Sequence, residues 1–242
     1  MFFEETSLEI SKVGQTTALR ANQSADWLVN VTLAVRSVVS AESPTLTVSI
    51  PELDVTTHLP LGSIPAGTNA STIVRASFTV PEGVPQRWFP HNLGTPQLYN
   101  FTITLALGND SSSPSASFTT RSGFRTIELI QTPYSQEEID SRGITPGDQW
   151  HFEVNGQAFY ALGTNIIPFD PFYARITSEQ ARWVLESAAR SGQNMVRVIF
   201  QCMVIFTGIL NRIYSCVSGA EAFTNPPTSS LGDTSFTQSV TS

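Results

Sequence analysis

Between Gln149 and Val198 the spacing of apolar residues changes period twice, and this change constrains the fold more than any other feature of the chain. Two alternating runs, Trp150 to Val154 and Ala158 to Leu162, flank Asn155-Gly156, a pair that tolerates the positive φ angles of a tight turn, so a hairpin is expected. Gly163, Pro168 and Pro171 then interrupt regular structure and predict a loop at the C-terminal end of the second run. Beyond it, Thr177 and Gln180 form a T-x-x-Q capping box, Ala181, Val184, Leu185 and Ala188 share one helical face, and Gly192 stops the helix. Met195, Val196, Val198 and Ile199 make a further apolar run. Strand, loop, helix and strand in this order predict one right-handed crossover of a parallel sheet. Many unrelated enzymes contain such a unit, so the pattern alone assigns no chemistry.

The preceding half has a different grain. From Leu8 to Leu129 short strands alternate with turn signals, as in Trp27 to Val35, Thr45 to Ile50, Thr72 to Val80, Leu98 to Leu107 and Phe124 to Ile130. Segments such as PLGSIPAG, PEGVPQ and NDSSSPS separate them, which argues for a two-sheet antiparallel sandwich of immunoglobulin type. No cysteine falls in this region, so no disulfide joins the sheets. Residues 131–149 are polar, carry Pro133, Gly143, Pro146 and Gly147, and read as a connection. Within them Glu137, Glu138 and Asp140 lack the alternating ligand spacing of a cation loop and read as a solvated face.

Composition removes several functional classes. Forty per cent hydrophobic residues suffice for a buried core, whereas a net charge of −7 with thirteen Lys and Arg provides no basic run to neutralise a phosphate backbone. Nucleic acid is therefore not an expected partner. His58, His91 and His151 are scattered, without Cys or carboxylate at ligand spacing, so neither a metal nor another cofactor is expected. Asn22, Asn30, Asn69, Asn100 and Asn109 each open an N-x-[ST] acceptor triplet, which points to a secreted glycoprotein. The start, MFFEETSLEISK, has no positively charged start followed by an apolar core, so it shows no secretory signal.

The residues themselves carry a resemblance. F-x-V-N-G, then F-Y-A-L-G-T-N-x-x-P-x-D, then Q-N-M-V-R-V resemble glycoside hydrolase family 2, and within it the fungal secreted β-mannosidases. WFPHNLGTPQLY, from Trp88 to Tyr99, and GFRTIEL, from Gly123 to Leu129, resemble signatures of that family's immunoglobulin-like domain. The resemblance implies a mainly β chain: an immunoglobulin-like β-sandwich over 1–130, a linker over 131–149, and an incomplete (β/α)8 TIM-barrel start over 150–198 holding strand 1, helix 1 and strand 2. It also implies hydrolysis of terminal non-reducing β-D-mannose by a retaining mechanism, in which two carboxyl groups lie about 5–5.5 Å apart. In the family both are glutamates on later barrel strands, so neither is expected in this chain. Asn165 and Asp170, after the first strand, and Arg197, ending the second, are the substrate-binding residues that the resemblance implies. Arg197 would lie beside the nucleophile, where fixed positive charge favours an ionised carboxylate.

Two features admit more than one reading. Trp88, Phe89 and His91 could form a sugar-stacking platform, or Trp88 and Phe89 could close the end of the sandwich core, which is the expected role. Beyond Val198 the resemblance stops. The apolar run to Leu210 is too short for the roughly 20 residues of a membrane span and is broken by Gln201, so no membrane association is expected. Read one nucleotide further on, the codons of Ile205 to Ile209 permit Tyr-Ser-Pro-Glu-Phe, a continuation of family type, so residues 199–242 are expected to be an aberrant or disordered tail from a splice or frame error. Cys202 and Cys216 lie in that tail and predict no native disulfide. The alternative function, from a different class, is that of a non-catalytic sandwich module that binds carbohydrate or protein.

Overall fold

The computed structural model describes residues 1–16, 19–67, 71–108, 115–166, 170, 172 and 175–198. Seven strands build a sandwich: β1 (Phe2–Lys12), β2 (Trp27–Arg36), β3 (Thr45–Ile50), β4 (Val55–Pro60), β5 (Thr72–Val80), β6 (Tyr99–Ala106) and β7 (Ser115–Ser122). One sheet runs β1-β2-β5 and the other β4-β3-β6-β7, with every pairing antiparallel. This is the expected two-sheet antiparallel sandwich. β1, β4 and β7 extend it beyond the strands most legible in the sequence. β7 is a polar edge strand whose only apolar side chains, Ala116 and Phe118, pack against the core.

Alternation explains the core. On β2 the inward series Trp27, Val29, Val31, Leu33 and Val35 is buried, and Leu46, Val48 and Ile50 on β3 and Phe101, Ile103 and Leu105 on β6 face it. Phe124 sits edge-on to Trp27 at 5.5 Å and to Tyr99 at 5.7 Å between ring centroids, which joins the two sheets. Each such buried aliphatic or aromatic side chain contributes about 1.5–3 kcal/mol relative to exposure. Among the described residues one charged side chain shares this interior. Lys12 is fully buried, lies 3.6 Å over the Trp27 ring, donates to the Ala25 carbonyl at 2.8 Å and pairs with Glu82, which also accepts from Arg87. Burial pulls the Lys12 ammonium below its ordinary pKa, against the opposing effect of Glu82.

The segment from Phe124 to Ile130 does not join the sandwich as a further strand. Only β8 (Ile127–Ile130) is extended, and it pairs with β9 (His151–Val154), which pairs in turn with β10 (Gln157–Phe159) in a separate three-stranded sheet. Between β8 and β9 lies α1 (Gln136–Arg142). It is capped by Ser135 and Glu138 in a reciprocal box, an S-x-x-E signal inside the stretch expected to be a plain connection. The acidic residues thus serve the local structure. Glu138 accepts from the Ser135 backbone, a bond that lowers its pKa, and Asp140 accepts from Gln136. Asn155 and Gly156 form the β9–β10 turn with φ of 51° and 75°, as expected for this pair.

β11 (Gly163–Ile166), α2 (Ser178–Arg190) and β12 (Met195–Val198) complete the described chain, and β11 pairs parallel with β12. This corrects one expectation. GTNI was expected to begin a loop and is a strand, because Gly163 serves close approach rather than a break: a Cβ there would collide with the Met195 carbonyl. Correspondingly, only Gln157–Phe159 of the preceding segment is strand. The helix is as expected, with Thr177 and Gln180 in a reciprocal capping box, Ala181, Leu185 and Ala188 buried, Val184 half-buried, and Gly192 at φ 84° just past its end. Among the described residues no helix is long and apolar enough to cross a membrane. The expected tail 199–242, with Cys202 and Cys216, lies outside the described residues.

Candidate substrate-binding site

The parallel pair brings two of the three expected site positions together. Asn165 on β11 is the register partner of Arg197 on β12, so both backbones stand at the same level, one residue before the C-terminal end of each strand. Asn165 is exposed. That register is fixed from behind by Asn194, a member of the Q-N-M-V-R-V motif but not one of the expected site residues. Buried at 4% exposure, its side chain accepts from the Leu162 N–H at 3.0 Å and donates to the Tyr160 carbonyl at 2.9 Å, while its own N–H donates to the Leu162 carbonyl at 2.8 Å. One amide thereby holds the chain entering β11 against the start of β12.

Asp170 follows β11 by four residues. Its Oδ1 accepts from the Phe172 N–H at 2.8 Å, and its Oδ2 lies 3.2 Å from Nε of the exposed Arg175. An aspartate bonding to the backbone two residues on builds a local turn, and the arginine adds a charge partner near solvent. A sugar hydroxyl would therefore compete with Arg175 for this carboxylate. Glu186 on α2 accepts from Arg182 Nε at 2.7 Å, which lowers its pKa. A carboxyl group held ionised in this way is a poor general acid.

Trp88 is 1% exposed, which removes it as a stacking surface for sugar. It does not close the main sandwich core either. Trp88 and Val154 form a second small core, with Phe89, Leu98, Ile127 and Phe159 packed against it. The two signature segments meet here, since the Trp88 N–H donates to the Phe124 carbonyl at 2.9 Å and a Cβ at Gly123 would fall 2.9 Å from the Trp88 Cβ. His91 is half-buried, His58 contacts Thr47 and His151 lies 3.3 Å from Glu153. Among the described residues no three His, Cys, Asp or Glu side chains gather in a way that could hold a metal ion.

The acceptor asparagines occupy distinct settings. Asn22 is exposed in the β1–β2 connection, its side chain accepting from the Ser24 N–H at 3.0 Å. Asn30 on β2 and Asn100 on β6 are half-buried on middle strands, and Asn100 also donates to Glu52. Asn69 and Asn109 lie outside the described residues.

No family model matches the chain. Curated relatives do. β-Mannosidase A of Neosartorya fischeri is 33% identical over 198 residues, and that of Aspergillus aculeatus 36% over 202; each alignment covers 82% of this chain and 21% of the relative. β-Mannosidase A of Aspergillus niger is 36% identical over 198 residues, covering 80% of this chain and 20% of the relative. Among solved structures, β-D-mannosidase from Dictyoglomus thermophilum superposes with a TM-score of 0.56 at 21% identity, over 79% of this chain and 20% of that one. The Parabacteroides merdae β-glucuronidase gives 0.53 at 16%, over 89% and 22%. These two likenesses show a shared fold, and the chain spans about a fifth of the length of the relatives it matches. Over that fifth the chain is a homologue of the fungal β-mannosidases A.

Proposed function

We propose that this chain is the sandwich and barrel-opening part of a secreted β-mannosidase, and that the whole enzyme hydrolyses terminal non-reducing β-D-mannose of β-mannoside oligosaccharides with retention. The observation that carries the reading is the sequence match of 33–36% identity, which runs through both the sandwich and the β11–α2–β12 unit. On this reading β11 and β12 are the first two strands of a (β/α)8 barrel, whose active site forms at the C-terminal ends of its strands. Asn165, Asp170 and Arg197 then contribute to the mannose pocket, Arg197 beside the nucleophile. The two catalytic glutamates belong to strands beyond Val198, so the 242-residue chain alone is inactive, and residues 199–242 are the product of a shifted frame.

Hydrolysis of 4-nitrophenyl β-D-mannopyranoside by the purified chain, beside a version extended in the shifted frame, tests this. Activity in the extended version alone is expected. Turnover by the short chain would overturn the assignment of the missing pair, and inactivity of both would remove the proposed continuation. Secretion with N-glycans at Asn22, Asn30, Asn69, Asn100 and Asn109 belongs to the same reading. Enzymatic deglycosylation of the secreted protein should then lower its mass.

A further inference from the structure

We infer that Asn155 is a latch that makes the β8–β9–β10 sheet a cooperative part of the sandwich, so that the natural division of the chain falls after Phe159 and not between residues 130 and 150. This inference is independent of any hydrolase activity. Asn155 occupies a turn, where asparagine is ordinarily explained by its tolerance of positive φ. Its surroundings are not those of an exposed turn: the residue is 5% exposed, and all its polar groups but the carbonyl meet segments distant in sequence. The Asn155 N–H donates to the Thr126 carbonyl at 2.9 Å, and its Oδ1 accepts from the Thr126 N–H at 3.0 Å. Its Nδ2 donates to the Trp88 carbonyl at 2.8 Å. One side chain thus bonds to two backbone segments, 67 and 29 residues earlier, and the first of these segments is itself tied to Phe124 of the sandwich core.

The surroundings continue the attachment. Gln23, in the β1–β2 connection, donates to Thr126 Oγ1 at 3.0 Å, accepts from Arg87 through its carbonyl at 2.6 Å, and lies where a Cβ on Gly156 would come within 3.2 Å of it. On the opposite side of the turn Val154 packs on Trp88. Further along, Glu128 accepts from the Ala21 N–H at 2.7 Å, and Glu153 pairs with Arg20. A tight turn needs none of these contacts to form; they serve to seat it on the sandwich. Removing one partner from buried hydrogen bonds leaves the others unpaired, which costs more than the bonds themselves contribute, so Asn155 governs the seating more than any exposed pair nearby.

Amide hydrogen exchange of the full chain, read by mass spectrometry, tests the latch. In the unsubstituted chain β9 and β10 should exchange at rates close to those of β2 and β6. Asn155→Gly keeps the positive φ and removes all side-chain bonds; it should speed exchange in residues 127–130 and 151–159 roughly tenfold or more while leaving β2 and β6 unchanged. Asn155→Asp keeps the Thr126 bond but turns a carboxylate oxygen, in place of the amide donor, toward the Trp88 carbonyl, so it should speed exchange in the same residues at least as much. Unaltered exchange in Asn155→Gly would overturn the latch. An equal increase across the sandwich would also overturn it, because Asn155 would then support global stability only. Should Asn155→Gly not fold, the Asp variant decides by the same two criteria.

Discussion

In the sandwich, Trp27, Val29, Leu46, Ile50, Phe101 and Ile103 are completely removed from solvent; around β11, α2 and β12, Tyr160 and Trp183 remain 82% and 70% exposed. Both regions alternate or cycle their apolar residues correctly for their elements. What differs is closure. Two sheets of three and four strands cover one another, whereas among the described residues the parallel pair with its one helix leaves a second sheet edge and a second layer face to satisfy. The helix buries Ala181, Leu185 and Ala188, yet two of these are alanines and offer little area. A parallel unit gains most of its stability from neighbouring units, and a sandwich gains it from itself.

Substitutions in the two regions should separate them. The largest effect is expected from Phe101→Ala, which opens a cavity among the rings around Phe124 and should lower unfolding free energy by about 3–5 kcal/mol, measured by chemical denaturation. If the midpoint of the sandwich transition hardly moves, the core is not the source of stability described here. Gly163→Ala should cost about 1–3 kcal/mol, because the added methyl meets the Met195 carbonyl. Its signature is loss of exchange protection in β11 and β12 with the sandwich transition intact, and a shift in both regions would break the comparison. Thr177→Ala removes the α2 cap and should cost about 1 kcal/mol, seen as fraying of residues 178–181 in helical NMR shifts.

The smallest effect is a change of slope. Lys12 in the folded chain has a pKa below 10.5, so between its folded value and 10.5 the unfolded chain binds more protons and stability rises with pH. Lys12→Met should flatten that alkaline part of the stability curve while Arg87 keeps Glu82 paired. An unchanged slope would mean that Lys12 titrates alike in both states.

Elements decided by their own residues were readable from the sequence; those decided by distant partners were not. Trp27 to Val35 and Thr72 to Val80 carry their alternation within the strand, and Thr177 with Gln180 fixes the start of α2 by a bond three residues long. Ser135 and Glu138 had the same local signal for α1, obscured by the polar composition around it. Gly163 reads as a breaker until Met195 is known to lie beside it, and Asn155 as a turn residue until Trp88 and Thr126 do. At the candidate site, Asn165 and Arg197 are level because of a pairing 32 residues apart, and Asp170 is committed to Phe172 and Arg175 by loop geometry that no periodicity encodes.

Lys12 is the only lysine in the chain, and it is sealed beneath Trp27 and Glu82. Apart from the terminal amine, the folded sandwich therefore presents no amino group to acylating reagents. Modification of that single side chain reports on one event, the opening of the sandwich, and turns an amine-reactive label into a clock for the rate at which this half of the molecule comes apart.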